Sequence, residues 1–360
     1  MGFRPFIHRL AIRHRLSGWV RNESGMVRIR AMGGAEDVES FIEDLPRLVP
    51  PLTRLDSLEV DRDVDPPGVE GFVIRESSSD QPGRLPISPD VALCPSCAAE
   101  LLDPGDRRYG YPFITCTDCG PRFTVIEEMP YDRARTSMRV FPQCPACAEE
   151  YGTPGDRRYH SETNSCAECG PGLWFEAEGR EPTRGADAAL EAAATTLLGG
   201  GVLGVRGLGG FHLAADATDP GAVATLRHRK GRKDKPLAVM VASAGDAALL
   251  GTVGPAEREL LESAERPIVL LESRKDSGLA PGVAPGMGSV GVMLAYTPLH
   301  VLLSRHVGRP LVMTSGNASE EPIATGNEEA RRRLGPIVDG LLLHDREIVA
   351  RYDDSLVRVV

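Results

Sequence analysis

Two stretches of the chain share one cysteine pattern: CPSCAAELLDPGDRRYGYPFITCTDC at 94–119 and CPACAEEYGTPGDRRYHSETNSCAEC at 144–169. Both read C-x2-C-x18-C-x2-C, and PGDRRY stands at the same place in each. The segment is therefore an internal duplication. It contains all eight cysteines of the chain, namely Cys94, Cys97, Cys116, Cys119, Cys144, Cys147, Cys166 and Cys169.

The cysteine spacing is typical of zinc sites. Two cysteines separated by two residues form a tight turn that directs both thiolates at one ion, and two such turns complete a tetrahedral set. Four protein ligands leave no position for water, so we expect structural zinc. The spacing leaves open whether each repeat binds its own ion or the turns pair between repeats. His160 is not needed as a ligand, because eight cysteines satisfy two ions.

Disulfide bonds are the alternative interpretation of the cysteines. They would require an exported protein, and the basic N-terminus has neither the continuous apolar segment nor the cleavage site of a signal peptide. The duplicated segment also has few large apolar residues, as in modules that fold only around a metal. We therefore predict two zinc ions.

Length and composition limit the rest of the architecture. The chain has 360 residues, of which 41% are hydrophobic and 26% charged, and its formal net charge is −10. This length predicts two or three domains. No apolar run is long enough to cross a membrane, so we expect a cytoplasmic protein without membrane contact. The negative charge argues against a nucleic-acid surface over the whole molecule.

Residues 1–76 alternate between helical and strand-like periodicity, which predicts a small α+β sandwich. Residues 77–90 are polar and contain proline and glycine, as expected of a linker, and the cysteine domain occupies 91–175. Within the sandwich, helices are predicted over 6–16 and 35–48, and strands over 18–22, 26–30 and 71–74.

Residues 183–360 predict an α/β domain, because helices and strands alternate there. A polar connector is expected over 176–185. One predicted strand runs directly into Thr314, Ser315 and Asn317, and polar groups at the carboxyl end of a strand are typical ligand-binding positions in open α/β sheets. Helices are predicted over 186–198 and 297–306, and strands over 202–205, 236–241, 267–271 and 310–313.

A basic run precedes the second of these strands. Six of the nine residues from Arg227 to Lys235 are Lys or Arg, among them Arg229 and Arg232. Such a run in an acidic protein favours a polyanion, and a solvated helix end is an equal alternative. Two later clusters, around Arg346 and over 351–355, combine opposite charges, as in an ion network or a phosphate and Mg²⁺ site. The chain has no Walker A sequence.

Several strings resemble the HypF family, the carbamoyltransferases of NiFe-hydrogenase maturation. GFRPF and GWVRN, near the N-terminus, are similar to the acylphosphatase-like domain of that family, and the doubled cysteine block matches its zinc fingers. The order of the domains also matches, and the resemblance covers essentially the whole chain. The strings similar to its YrdC-like domain are KPLAVM at 235–240, TPLH at 297–300, TSGN at 314–317 and RYDDS at 351–355.

The resemblance implies a sequence of reactions. Carbamoyl phosphate is dephosphorylated at the acylphosphatase-like site, where Arg4 would bind the phosphoryl group and Asn22 would position the attacking water. ATP, with Mg²⁺, then adenylates the carbamate in the YrdC-like domain. A further domain passes the carbamoyl group to the C-terminal cysteine of the HypE protein. The residues implied in holding ATP and carbamoyl-adenylate are Arg229, Arg232, Lys235, Thr314, Ser315, Asn317, Arg346 and Arg351.

The sequence departs from the family pattern at both ends. The first strand, and most of the glycine-bearing phosphate loop, are absent before Gly2, so we expect an incomplete acylphosphatase-like fold. The chain stops at Val360, where the family continues with a large transferase domain. We therefore expect an N-terminal portion of such a protein, able to adenylate carbamate but not to complete the transfer.

Two alternatives stay open. A YrdC-type threonylcarbamoyl-AMP synthase of tRNA modification would depend on threonine, and the cysteine block and acylphosphatase-like strings argue against it. A non-enzymatic RNA-binding zinc protein would use the cysteine turns and the basic run over 227–235. Aromatic residues make up only 5% of the chain and do not interleave with basic ones, so recognition by base stacking is weakly supported.

Overall fold

The computed structural model describes residues 2–23, 26–50, 53, 55–62, 65, 68–76, 87–318 and 321–360. In chain order they form a small α/β sandwich, a module that carries the cysteine repeats, and a large α/β domain. The fold class predicted from the sequence is confirmed. Most of the predicted linker over 77–90 lies outside the described residues.

The small N-terminal domain packs two helices with a three-stranded sheet of order β2-β1-β3. Strand β1 is antiparallel to β2 and parallel to β3. The core is built from apolar side chains of both helices and of the sheet, such as Ile7, Val20 and Phe41. The elements are α1 (Phe3–Arg13), β1 (Ser17–Glu23), β2 (Met26–Met32), α2 (Ala35–Arg47) and β3 (Phe72–Ile74).

Helix α1 begins and ends three residues earlier than predicted. Pro5 lies in its first turn, where the missing N–H has no partner within the helix. Arg15 has a φ of 55°, in the left-handed region, and this ends the helical run before β1.

The cysteine module contains two short α-helices, each of which begins directly after the first cysteine of a repeat. Proline occupies the first position of both, where its fixed φ fits a helix start. The Sγ of Cys94 accepts a hydrogen bond from the Cys97 N–H at 3.4 Å, so the first cysteine of the first repeat also caps its helix. The elements are α3 (Pro95–Leu102), α4 (Pro145–Gly152) and 3-10 helices at Arg133–Arg135 and Ser137–Val140.

The large domain is built on an 11-stranded mixed sheet with the order β14-β10-β11-β8-β12-β7-β6-β13-β4-β5, in which β9 pairs with β10. The strands are β4 (Leu173–Glu176), β5 (Thr183–Arg184), β6 (Leu203–Arg206), β7 (Phe211–Asp216), β8 (Ala238–Val241), β9 (Gly251–Thr252), β10 (Ile268–Ser273), β11 (Ser289–Leu294), β12 (Leu311–Ser315), β13 (Gly340–His344) and β14 (Leu356–Val357).

Helices cover both faces of this sheet, and each face has its own apolar core. One core contains α5 and α9 and also residues of the first cysteine repeat, such as Leu101 and Ile114. The repeat therefore folds against the sheet as well as around its cysteines. The helices are α5 (Ala186–Leu198), α6 (Pro220–Lys230), α7 (Ala244–Leu250), α8 (Pro255–Glu262), α9 (Pro298–Val307) and α10 (Asn327–Leu334).

The stretch predicted as a polar connector, 176–185, instead belongs to the edge of the sheet. Strand β4 pairs with β13 and with β5. Leu173 and Phe175 are buried while Trp174 and Glu176 are partly exposed, a period of two that is too short to identify a strand without its distant partner.

Strand directions bring three strand ends to one edge of the sheet. Strands β6 and β13 are parallel, and both β6 and β12 are antiparallel to β7, so β6, β12 and β13 run in the same direction. Arg206, Ser315 and His344 therefore end their strands at the same edge. Strands β7 and β8 begin there. No helix among the described residues is long and apolar enough to cross a bilayer.

Candidate functional sites

The eight cysteines form two separate clusters, one in each repeat. Within each cluster the four Sγ atoms lie within 4.8 Å of one another. The Sγ–Sγ distances include 3.7 Å for Cys94 to Cys116 and 3.8 Å for Cys116 to Cys119. A tetrahedral ion with Zn–S bonds of about 2.3 Å requires sulfur atoms about 3.8 Å apart. The clusters fit zinc, and the pairing that the spacing left open is within repeats.

Arginines of the repeated PGDRRY sequence cross from one repeat to the other. Arg107 donates to the Sγ of Cys147 at 3.2 Å. Arg157, its counterpart in the second repeat, donates to the Sγ of Cys97 at 3.5 Å. N–H donors to metal-bound thiolates offset their negative charge, so each repeat supplies part of the surroundings of the other cluster.

Two carboxylates hold the arginines of the repeated sequence in place. Arg107 and its neighbour Arg108 donate to Glu150, at 3.2 and 2.9 Å, and Arg157 donates to Glu100 at 2.7 Å. Burial opposes ionisation of Glu150, but hydrogen bonds from Arg108 and then Arg107 outweigh it and lower the pKa of Glu150 to about 2. The Arg108 side chain is only 1% exposed, so this ion pair belongs to the interior of the module.

The two residues implied in phosphoryl chemistry lie on consecutive elements of the small domain. Arg4 is in the first turn of α1, and Asn22 is near the end of β1. The Arg4 guanidinium lies 3.5 Å from Asp132 and 3.9 Å from Glu162, both in the cysteine module. Burial raises the pKa of Glu162 to about 7. The cysteine module therefore forms a wall of this region.

A polar cluster lies at the edge of the large sheet where β12 ends. The Lys230 Nζ donates to the Asn317 Oδ1 at 3.0 Å and contacts the carbonyl of Ser315. The Ser315 hydroxyl donates to the Asn317 Oδ1 at 2.8 Å. Burial, followed by the nearby Arg232 charge, lowers the pKa of Lys230 to about 7. A lysine, a hydroxyl and an amide thus converge at a strand end, as in phosphate and nucleotide sites.

Of the other predicted site residues, Arg232 is near enough for its charge to lower the pKa of Lys230. Arg232 donates to the Pro236 carbonyl at 2.6 Å, and Lys235 is exposed, three residues before the start of β8. Arg351 lies 3.9 Å from Glu329. Thr314 is buried within β12, and Arg346 is buried near the end of β13.

Arg229 is not brought to this edge. Its guanidinium donates to Asp339 at 2.9 Å, and Asp339 accepts from the Val202 N–H at the opposite, amino-terminal end of β6. Arg229 projects from the far side of the helix that carries Lys230, because neighbouring helical residues point about 100° apart.

Sequence reasoning missed two residues of this region. Lys230 stands inside the basic run, but nothing in the run distinguishes it from its neighbours. His212 lies beside Ser315 across the strand pair β7–β12, and its Nε2 lies 2.9 Å from the Asp354 Oδ2. Burial disfavours the charged form of His212, but Asp354 outweighs this and raises its pKa.

Family models match the chain in the order of its domains. A model described as Acylphosphatase matches 1–74, and one described as HypF finger matches 93–126 and 144–176. A third, described as Telomere recombination and named for the Sua5, YciO and YrdC proteins, matches 195–360.

Curated relatives match the whole chain. Carbamoyltransferase HypF2 of Cupriavidus necator is 52% identical over 375 residues, which cover 99% of this chain and 46% of the relative. Carbamoyltransferase HypF of a Synechocystis species is 49% identical over 360 residues, 100% of this chain and 47% of the relative. The chain thus spans about half the length of these relatives. Threonylcarbamoyl-AMP synthase of Bacillus subtilis is 30% identical over 137 residues, only 36% of this chain.

A solved structure has the same fold over the same part. It is described as full-length HypF in the phosphate- and nucleotide-bound form, and the TM-score is 0.93 at 45% identity. The match covers 99% of this chain and 46% of that one. The resemblance drawn from the sequence is confirmed.

Proposed function

Because the whole chain matches HypF carbamoyltransferases over about half of their length, we propose that it forms carbamoyl-adenylate from carbamoyl phosphate and ATP. The observation that supports this most is the convergence of Lys230, Ser315 and Asn317 at one strand end. The same chain carries an acylphosphatase-like domain, which suits a phosphorylated acyl substrate.

The first step takes place at the small domain. Water attacks carbamoyl phosphate, and carbamate and inorganic phosphate leave. Arg4 binds the phosphoryl oxygens, since a guanidinium fork matches that group. Asn22 orients the water through its neutral amide, which does not compete with the phosphate for the positive charge. Asp132 and Glu162 hold Arg4 at the start of α1.

The second step takes place at the edge of the large sheet. A carbamate oxygen attacks the α-phosphorus of ATP, and pyrophosphate leaves. Lys230, Arg232 and Lys235 neutralise the phosphates, while Ser315 and Asn317 hydrogen bond to them. ATP brings Mg²⁺ as its counter-ion. Phosphoryl transfer needs positioning and charge neutralisation above all, so this set of side chains suffices.

Zinc in both cysteine clusters has a structural role in this proposal. Each ion would supply a four-way crosslink between two turns of chain, held by Cys94, Cys97, Cys116 and Cys119 and by Cys144, Cys147, Cys166 and Cys169. Thiolates would fill all four coordination positions of each ion, so no position would be open for water.

The acceptor of the carbamoyl group is the C-terminal cysteine of a HypE protein, and this part rests on the resemblance alone. RNA binding is less favoured. Arg227, at the start of the basic run, donates to the carbonyls of Arg232 and Lys233 at 2.9 Å each. This part of the run thus stabilises its own loop and presents fewer charges to a polyanion.

Radiolabelled carbamoyl phosphate tests the two steps separately. The full chain with ATP and Mg²⁺ should yield labelled carbamoyl-adenylate, separable by chromatography. Arg4→Met should abolish both the release of phosphate and the formation of carbamoyl-adenylate. Ammonium bicarbonate, which contains carbamate at equilibrium, should restore adenylate formation in this variant. Lys230→Met should release phosphate and form no adenylate. Adenylate formation by Lys230→Met at the rate of the unchanged protein would refute the assignment of this site.

A further inference from the structure

A narrow cavity separates the first cysteine repeat from the large domain. Its walls are apolar on the side of the module, with Phe113 and Ile114, and it has two arginines of the large domain in its lining, Arg206 and Arg346. Its volume is about 20 Å³, and about 10–15 Å³ is enough for one water molecule. A group of a few atoms fits there, and a nucleotide does not.

Arg346 lines this cavity, and the described part of the chain offers its side chain no hydrogen-bond partner. Its residue is 8% exposed, and its Cζ lies 5.2 Å from the centre of the Phe113 ring. Among the described residues, no hydrogen bond and no ion pair involves its guanidinium. Burial lowers the pKa of Arg346, and the negative charge of Asp90 opposes this shift without outweighing it. The cation–π contact with Phe113 restrains the guanidinium at the lining of the cavity.

Arg206 is the second buried cation, 6% exposed. Its Nη1 donates to the His344 carbonyl at 2.5 Å and to the Asn327 Oδ1 at 3.0 Å, while its Nε has no partner among the described residues. Burial, followed by the charge of Arg346, lowers the pKa of Arg206 to about 10. Burial also lowers the pKa of His344 far below its usual range, so this histidine, which also lines the cavity, is uncharged.

Two buried arginines close to each other, neither of them in a direct ion pair among the described residues, are costly. The penalty for an uncompensated buried charge is several kcal/mol, and an anion between the two would offset it. Guanidinium groups pair best with flat carboxylate-like groups, through two parallel N–H···O bonds. The size of the cavity limits that anion to a few atoms.

We propose that this cavity binds a small planar oxyanion of the carboxylate class between Arg206 and Arg346, and that Phe113 of the cysteine module holds Arg346 in position. The inference rests on the proposed function, in which the oxyanion is carbamate on its way to adenylation. Arg346 then binds the carbamate, while Lys230 and its neighbours bind the phosphates of ATP.

Bicarbonate has the shape and charge of carbamate and is the probe of choice. Its binding to the full zinc-loaded chain is followed by NMR line broadening of isotope-labelled bicarbonate at constant ionic strength. Arg346→Met should weaken binding at least tenfold, and Phe113→Leu should weaken it several-fold. Arg332→Met, which removes an exposed arginine of α10, is the matched control and should bind as the unchanged protein does. Thermal unfolding of each variant checks that it is folded.

Absence of bicarbonate binding by the unchanged protein, or equal binding by folded Arg346→Met, would overturn the inference. ATP binding by the unchanged protein and by the Arg332→Met control is measured on the same samples. If the unchanged protein does not bind ATP, the proposed function is contradicted instead. The two failures are thereby distinguished.

Discussion

The guanidinium of Arg107 in the first cysteine repeat donates a hydrogen bond to the Sγ of Cys147 in the second, at 3.2 Å. The equivalent arginine of the second repeat returns the contact to the first cluster. Because the donors come from the duplicated PGDRRY sequence, the duplication created two sites that support each other. The four cysteines of one repeat are therefore not an independent unit.

Removal of one ligand should cost one zinc ion. The Cys94→Ser variant is expected to hold one zinc per chain, against two in the unchanged protein, since a hydroxyl is a poor substitute for a thiolate ligand. Zinc per chain is measured by elemental analysis after gel filtration. Ser96→Ala, at an exposed position in the same turn, is the control and should retain two. A folded Cys94→Ser protein with two zinc ions would contradict a structural role for this cluster.

The arginines that cross between the repeats should slow the release of zinc. Arg108→Met leaves Glu150 without its buried partner, and breaking a buried ion pair costs about 3–5 kcal/mol. Zinc should leave the second cluster faster than the first when a chelator with a coloured zinc complex is added. Arg135→Met, a partly exposed arginine of the same module, should change release little. Unaltered release by Arg108→Met would show that the arginines do not support the clusters.

Lys230 should make nucleotide binding depend on pH. Burial lowers its pKa to about 7, so the lysine is charged below this pH and loses its charge above it. ATP affinity should therefore fall as the pH rises through about 7, and Lys230→Arg should remove this fall because arginine stays charged. Equilibrium binding of ATP between pH 6 and 8 measures it.

The neutral variant of the same residue sets the size of the effect. A charged hydrogen bond contributes about 1.5–3 kcal/mol, so Lys230→Met should weaken ATP binding roughly 10- to 100-fold. Lys275→Met, at an exposed lysine of the same domain, should bind ATP normally. Equal affinity in both variants would place the nucleotide elsewhere.

Gly209 permits the segment around Tyr352 to lie against β6 and β7. A Cβ at this position would stand 2.7 Å from the Tyr352 Cδ1 and 2.8 Å from its carbonyl oxygen. Gly209→Ala should therefore displace the segment that carries Arg351 and Asp354, at a cost of about 1–3 kcal/mol, and should reduce adenylate formation at least tenfold. Gly288→Ala, where a Cβ would meet nothing within 4 Å, is the control. Full activity of Gly209→Ala would show that the segment can move without loss.

The sequence was sufficient for the parts whose pattern is local. The cysteine spacing identified both clusters, and α5 was predicted at its observed bounds, Ala186–Leu198, because alanine-rich helices end sharply at a run of glycines. The pairing of the cysteines within repeats required the structure, since both pairings satisfy the same spacing.

The rest depended on contacts between residues far apart in the chain. Strand β4 is recognisable only through its pairing with β13. Lys230 becomes a site residue only because it meets Asn317, 87 residues away. Arg229, its neighbour in the helix, points to the opposite end of β6. A basic run in a sequence carries no information about which of its side chains converge.

Pyrophosphate release from ATP by the purified chain tests the central claim most directly. It is measured with carbamoyl phosphate, with ammonium bicarbonate, and with bicarbonate plus threonine. The account predicts release that depends on carbamoyl phosphate or ammonium bicarbonate and is indifferent to threonine. Release that requires threonine, or no release with any of the three, would contradict it.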